Sequence, residues 1–421
     1  MKSVTTRELA ISFAKKIRRK LPRSIQRLLT APVLAMRHRR HQFDLSTLRS
    51  PKRFTGTHIA VAGLFSTTTG LGRAAELICL TLEKRGHHIT RVDLTHPLGV
   101  RVGSYCPDAI APSDCKNESI SDLIVVINPD YSTLHLFEKA WLVNRCIIGH
   151  WIFEVEVLPA YWGRASQSFD EIWAPTHLVL DVIKKYLPPD KPTGVLPYAV
   201  ALDPFPQPSL HDRNNARKAL NIDAQTFVVG YSFATASNYY RKNPEQLVLA
   251  FTSAFPAEQD VLLILRSHDL SEYGPEARRL RKVVKSDKRI QLFDGSRRID
   301  LSTFYSVLDV YASPSRGEGY GLNLVEASQA GLDVITPGWR LAPEIQALPK
   351  MHTVQSTLVP LKEYQGHYAA VRGAVWAEPS TSEMVDKLRQ LYAAKLQISA
   401  DSAEGSTPSV DLHPRSANQM R

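Results

Sequence analysis

Short apolar runs alternate with longer amphipathic stretches from residue 58 onward. The run 58–63 (HIAVAG) reads as a strand buried on both faces, since nothing charged interrupts it. A loop rich in threonine and glycine follows. Then comes a helix with Ala74, Leu77, Ile78 and Leu82 on one face, stopped by Gly86. Runs at 89–94, 123–127, 146–149, 172–174 and 194–196 predict further strands. Strands alternating with helices predict a parallel sheet covered on both sides. Pro197, Pro204, Pro206 and Pro208 mark a crossing between domains. The pattern then repeats, with strands predicted at 227–233, 261–265, 290–293, 310–312 and 334–336 and helices at 243–255, 301–306 and 322–330. The expectation is an α/β protein of two similar open sheets, domains 51–200 and 201–375, with ligands bound in a cleft beyond the carboxyl ends of the strands. A last helix is expected within 376–397, returning toward the first domain. The tail 398–421, rich in Ser, Asp and Pro and without hydrophobic periodicity, reads as disordered.

Length and charge refine this picture. A chain of 421 residues is too long for one ordinary core and fits two domains with extensions. The net charge of +11 is confined to residues 1–50, where thirteen Lys and Arg face only Glu8 and Asp44. The basic balance therefore belongs to an extension and not to the folded domains. Within it, Ala10, Phe13, Ala14, Ile17 and Leu21 share one helical face, and most of the lysines and arginines lie elsewhere. Such a segment either lies on an anionic membrane surface or is a solvated extension. Nucleic acid is not an expected partner, because no aromatic residues interleave with the charges. No apolar stretch is long enough to span a bilayer and no secretory signal is visible, so the expected place is the cytoplasm, with a peripheral position on the inner membrane as the extension's role. Cys79, Cys106, Cys115 and Cys146 form no CxxC pair and read as reduced thiols.

The stretch with most chemistry is SPSRGEGYGLNLVEA, residues 313–327, between a predicted strand and a predicted helix. Gly317, Gly319 and Gly321 let the backbone come close to a ligand. A helix beginning at Leu322 aims free N–H groups and a positive dipole end at the cleft, a ready place for phosphate. Glu318 on the loop and Glu326 on the helix supply two acceptors for a polyhydroxylated ligand that carries phosphate.

Glu318, seven intervening residues and Glu326 resemble the paired-glutamate motif of family-4-type glycosyltransferases with the GT-B fold, and the surrounding GEGYGLNLVEA resembles that family's run. Arg241-Lys242-Asn243-Pro244, followed by Ala250-Phe251, is similar to a second family segment, and Thr69-Gly70-Leu71-Gly72-Arg73 to the glycine loop after its first strand. The resemblance runs over most of residues 58–395. It implies a retaining, metal-independent transferase taking a hexose from a nucleotide-sugar such as UDP- or GDP-hexose; the basic extension adds the expectation of a glycan or lipid-linked acceptor. The resemblance implies that Lys242 binds the donor diphosphate, Glu326 the ribose and Glu318 the sugar hydroxyls or the charge that develops on the sugar. The family's usual arginine five residues before the lysine is Ser237 here, and Arg241 is the substitute within reach. Gly319, Tyr320, Gly321 and Leu322 would line the donor, and Gly70 and Gly72 would let a phosphate approach. Arg266 and the turn at 293–295 are candidate contacts by fold position. The run His150-Trp151-Ile152-Phe153-Glu154 resembles an aromatic-Trp-aromatic-Glu pattern in part of the family. His150 or Glu154 is then a candidate for orienting or deprotonating the acceptor hydroxyl, with a packed aromatic core as the alternative. No DxD metal motif is visible. Two other readings stay open, a GT-B enzyme acting on a soluble acceptor and an inert nucleotide-sugar-binding scaffold.

Overall fold

The computed structural model describes Thr47 and residues 49–404 apart from 101, 104–105, 132, 202, 235–236, 269, 271–273, 295–298, 362–367 and 369–370. The basic helix expected over 6–21 and the tail beyond 404 lie outside the described residues.

Two six-stranded parallel sheets form the frame. The first contains β1 (His58–Gly63), β2 (His88–Asp93), β3 (Asp122–Val125), β4 (Cys146–His150), β5 (Glu171–Ala174) and β6 (Thr193–Val195), in the order β2-β1-β3-β4-β5-β6. The second contains β7 (Phe227–Ala234), β8 (Val261–His268), β9 (Ile290–Phe293), β10 (Val310–Ala312), β11 (Asp333–Pro337) and β12 (Met351–Val354), in the order β12-β11-β10-β7-β8-β9. β13 (Ser356–Pro360) and β14 (Val375–Pro379) pair antiparallel as a separate ribbon. The central strands are apolar and buried on both faces, as helices packed on each side of a sheet require.

Several of the helices between strands start where the sequence supplies a cap. Thr69 accepts from the Gly72 N–H to open Gly70–Lys84 and Thr176 caps His177–Lys184. Ser209 and Asp212 form a reciprocal capping box, and Asp300 caps Leu301–Val307. Each such cap contributes about 1 kcal/mol and fixes where a loop ends.

In each sheet the chain reverses direction of growth once, between β1 and β3 and between β7 and β10. The carboxyl ends at those reversals are where an open α/β sheet leaves a crevice. The loops that follow β7 and β10 carry Lys242 and Glu318.

The last helix, Thr381–Glu404, begins within the expected range, after β14, but continues past 398 into the stretch read as disordered. It also stays with the second domain. Arg389 donates to the carbonyls of Ser253 and Ala254, Tyr392 to Asp260, and Lys395 pairs with Asp309 at 3.0 Å. Asp309 already holds Arg213 and Arg217, so this helix is pinned at a charge cluster beneath the second sheet. What reaches the first domain is β14 and the described residues just before it. Leu361, Tyr368, Val371, Ala374 and Trp376 pack into the same apolar cluster as Trp151, Phe153 and Trp162.

Candidate active site

The loop after β7 is shaped by two asparagines in positive φ. Asn238 (φ 76°) accepts from the Arg241 N–H and opens the short turn Tyr239–Lys242. Asn243 (φ 50°) closes that turn and leads into the helix Pro244–Ala254, where proline at the first position costs no hydrogen bond. Asparagine tolerates the left-handed region better than other residues with a side chain, so the kink is affordable here without glycine. Tyr231 donates to the Lys242 carbonyl at 3.0 Å, and Lys242 is thereby fixed over the end of β7.

The loop after β10 lies against it. The Arg316 N–H donates to the Arg241 carbonyl at 2.8 Å, so the two loops share a backbone bond. Lys242 Nζ meets Glu318 Oε1 at 2.6 Å, and Arg241 Nη1 lies 3.3 Å from Glu318 Oε2. Both cations and the carboxylate are largely withdrawn from water. Burial alone would raise the Glu318 carboxyl, but Lys242 and Arg241 more than reverse that and hold it at about 2. Burial draws Lys242 downward, against the pull of Glu318. With Glu318 held so low, the pair at 2.6 Å is an ionised one at neutral pH.

Arg241, offered by the sequence as a cation for the donor phosphate, is turned to protein oxygens here. Its Nε donates to the Ser237 carbonyl and Nη1 to the Gly317 carbonyl at 2.6 Å, while Nη2 faces Glu154 Oε1 at 3.4 Å. A guanidinium with its fork turned to protein oxygens in this way has little left for a ligand.

The glycines of the β10 loop are set by close packing and by backbone geometry. A Cβ on Gly317 would stand 2.9 Å from the Glu154 carbonyl oxygen, and one on Gly319 would stand 2.5 Å from Ile152 Cγ1. These two glycines admit the first domain's loop after β4. Gly321 (φ 93°) is the N-cap of Leu322–Gln329, with no side chain capping it. Tyr320 turns away from the loop, donating to the Tyr198 carbonyl at 3.3 Å with its ring 4.7 Å from that of Tyr198.

Glu326 is buried on the helix that starts at Leu322, with Tyr305 donating to it at 3.3 Å. Burial raises its carboxyl, opposed by Arg73, the Tyr305 hydroxyl and Arg266. Arg266 donates to Ser232 Oγ and the Ile299 carbonyl, each at 3.0 Å, at the carboxyl end of β8. Arg73, from the glycine loop of the first domain, pairs with Asp203 at 2.7 Å. It thus belongs to the surroundings of Glu326. Gly72 is required by packing, since a Cβ there would stand 2.7 Å from the Leu64 carbonyl oxygen, whereas Gly70 faces open space. Asp294 of the 293–295 turn is tied to Arg281 at 3.0 Å, and Gly295 lies outside the described residues.

His150 is 2% exposed and donates through Nε2 to the Leu196 carbonyl at 3.0 Å. Burial depresses it to about 4, so it is neutral. The ring is packed, as the aromatic-core alternative has it, with Nε2 turned to a backbone carbonyl. Glu154 does reach the cleft, where it takes Arg241 on one oxygen and the Tyr368 hydroxyl, at 3.1 Å, on the other. Tyr368 was not foreseen, since nothing around it in sequence forms a motif. Arg73 stood inside the glycine-loop match and could have been read as a site residue from that alone.

No family model matches the chain, and no curated protein does so. Solved structures do. WaaG, a glycosyltransferase involved in lipopolysaccharide biosynthesis, is 16% identical, with a TM-score of 0.52 over 84% of this chain and 96% of that one. Sucrose-phosphate synthase from Thermosynechococcus elongatus is 15% identical, with a TM-score of 0.50 over 83% of this chain and 98% of that one. At such identities the likeness is one of architecture, and it agrees with the two parallel six-stranded sheets and the loops that meet between them. The chain has the GT-B fold of these glycosyltransferases.

Proposed function

We propose that the protein is a retaining glycosyltransferase that moves a hexose from a UDP- or GDP-hexose to a glycan or lipid-linked acceptor of the cell envelope. The observation that carries the reading is the meeting of Lys242 and Glu318 at 2.6 Å, 76 residues apart in sequence, at the switch point of the second sheet. Those are the two motif residues that the family resemblance assigns to the donor's diphosphate and sugar. In this reading, Lys242 and the open amide end of Leu322–Gln329 take the diphosphate and stabilise the charge on the departing nucleotide. Glu326 accepts from the ribose hydroxyls. Glu318, ionised throughout the working range, accepts from the sugar hydroxyls and faces the positive charge that grows at the anomeric carbon. The phosphate charge is met by protein cations, so a chelator leaves the rate unchanged.

The acceptor class rests on the basic extension, whose charge suits an anionic bilayer surface on the cytoplasmic side of the inner membrane. A fold shared with a protein of lipopolysaccharide biosynthesis is in keeping with that. A second reading, a donor-binding protein without turnover, is favoured by Ser237 and by the commitment of Arg241 to protein oxygens.

The test is a thermal-shift screen with UDP, GDP, ADP, dTDP and their sugars on the wild type and Glu326→Ala. One nucleotide raises the melting temperature by mass action, and the shift shrinks in the variant. Release of nucleotide from the matching sugar donor separates transfer from binding alone. No shift with any nucleotide overturns the reading.

A further inference from the structure

The cleft is bridged at one point by a residue that no motif marks. Tyr368 belongs in sequence to the connection between β13 and β14 of the second domain, yet it packs in the apolar cluster of the first. It is 1% exposed, with ring centroids 5.9 Å from Phe153 and 6.3 Å from Trp376. Its hydroxyl donates to Glu154 at 3.1 Å. Glu154 faces Arg241 at 3.4 Å, and Arg241 faces Glu318 at 3.3 Å, which in turn holds Lys242. A second line of contacts reaches the same place. Trp376 lies under the Arg316 guanidinium at 5.4 Å; Arg316 binds Glu378 at 2.6 Å, and its N–H donates to the Arg241 carbonyl. Asn243, next to Lys242, donates to the same Glu378 at 3.0 Å.

Glu154 and Glu318 thus share one buried guanidinium. A carboxylate that loses a donor in such surroundings draws more strongly on its remaining partner, because low polarity strengthens every surviving contact. Without the Tyr368 hydroxyl, Glu154 pulls on Arg241, and Arg241 then holds Glu318 differently.

We propose that Tyr368 is a positioning residue: by holding Glu154 against Arg241 across the cleft, it sets where the Glu318 carboxylate stands relative to the donor sugar. This rests on the transferase reading for its kinetic consequence, but not for its structural one.

The experiment uses the full chain with Tyr368→Phe, which keeps the ring and removes the hydroxyl, together with Glu154→Gln and the double variant. The kinetic expectation for Tyr368→Phe is a kcat lower by roughly tenfold, with the donor KM and melting temperature near wild type, as expected when a reacting group is misplaced. The double variant should lose no more than Glu154→Gln alone, since both changes break one chain of contacts. Hydrogen exchange should quicken in peptides covering 152–156 and 238–243 in Tyr368→Phe. An unchanged kcat in an active enzyme, additive losses in the double variant, or unchanged exchange in those peptides overturns the proposal. If the wild type transfers no sugar at all, the functional reading fails, and the exchange measurement alone decides whether Tyr368 couples the two loops.

Discussion

At the scale of single residues, Lys242 depends on Glu318 for its burial, and Glu318 on Lys242 together with Arg241. Removing one partner of such a pair leaves a charge in low-polarity surroundings, which costs about 3–5 kcal/mol, whereas removing both costs far less. Lys242→Met and Glu318→Gln should therefore each lower stability more than the combined variant, while all three abolish transfer; urea unfolding beside a nucleotide-release assay checks this. His150 makes a prediction of the opposite kind. Its ring stays neutral in the fold down to about pH 4, while in the unfolded chain it takes a proton near its ordinary value of 6.5. The unfolded state then binds more protons below 6.5, so stability falls as the pH drops from 6.5 toward 4. At pH 5 the loss is about 2 kcal/mol relative to neutrality, and His150→Asn should remove that part of the slope in urea titrations. The ion pair and His150 also differ in how far the sequence revealed them. Glu318 and Lys242 sit in runs whose spacing carries their chemistry. The partner of His150 is a backbone carbonyl, that of Leu196, 46 residues away, and no side-chain pattern announces such a contact.

At the scale of elements, the eleven strands expected in the two sheets are present within a few residues, because central parallel strands must be apolar on both faces and so stand out as unbroken runs. The strands that escaped, β12, β13 and β14, are those with little such signal. β13 is half-exposed along most of its length, and β13 and β14 both end in proline. Gly317 and Gly319 of the β10 loop were visible, but not their packing role, since the atoms that crowd them belong to Glu154 and Ile152 of the other domain. This gives a test at the level of the loop. Gly319→Ala places a methyl group 2.5 Å from Ile152 Cγ1, an overlap that must move one loop or the other at a cost of about 1–3 kcal/mol. Adding Ile152→Ala frees the space, so the double variant should regain much of the lost stability and activity. If Gly319→Ala is silent, the loops are not in contact in solution.

At the scale of the whole molecule, the two domains are joined at several points around the cleft. Arg340 pairs with Glu156 at 2.9 Å, Arg241 with Glu154, and Tyr320 and Gln329 hold the crossing segment at Tyr198 and Val200. The basic extension enters from elsewhere. Its last residue to be anchored is Arg49, which binds Asp170 through both terminal nitrogens, at 3.0 and 2.7 Å, and donates to the Arg145 carbonyl. Arg145 and Asp170 directly precede β4 and β5, so the anchor lies at the amino ends of the first sheet's strands, opposite the cleft. Twelve basic residues precede it in the chain. Removing residues 1–46 keeps Arg49 and its partners, so the melting temperature and nucleotide binding should stay as they are. Sedimentation with vesicles containing phosphatidylglycerol should be lost, and in the full-length chain it should weaken with rising salt, as exposed charges do when screened. Arg49→Ala should do the reverse, lowering stability because Asp170 is left buried without its cation, while vesicle binding persists. If the shortened chain still sediments with vesicles as the full one does, the surface contact belongs to the folded domains and the extension is not the anchor.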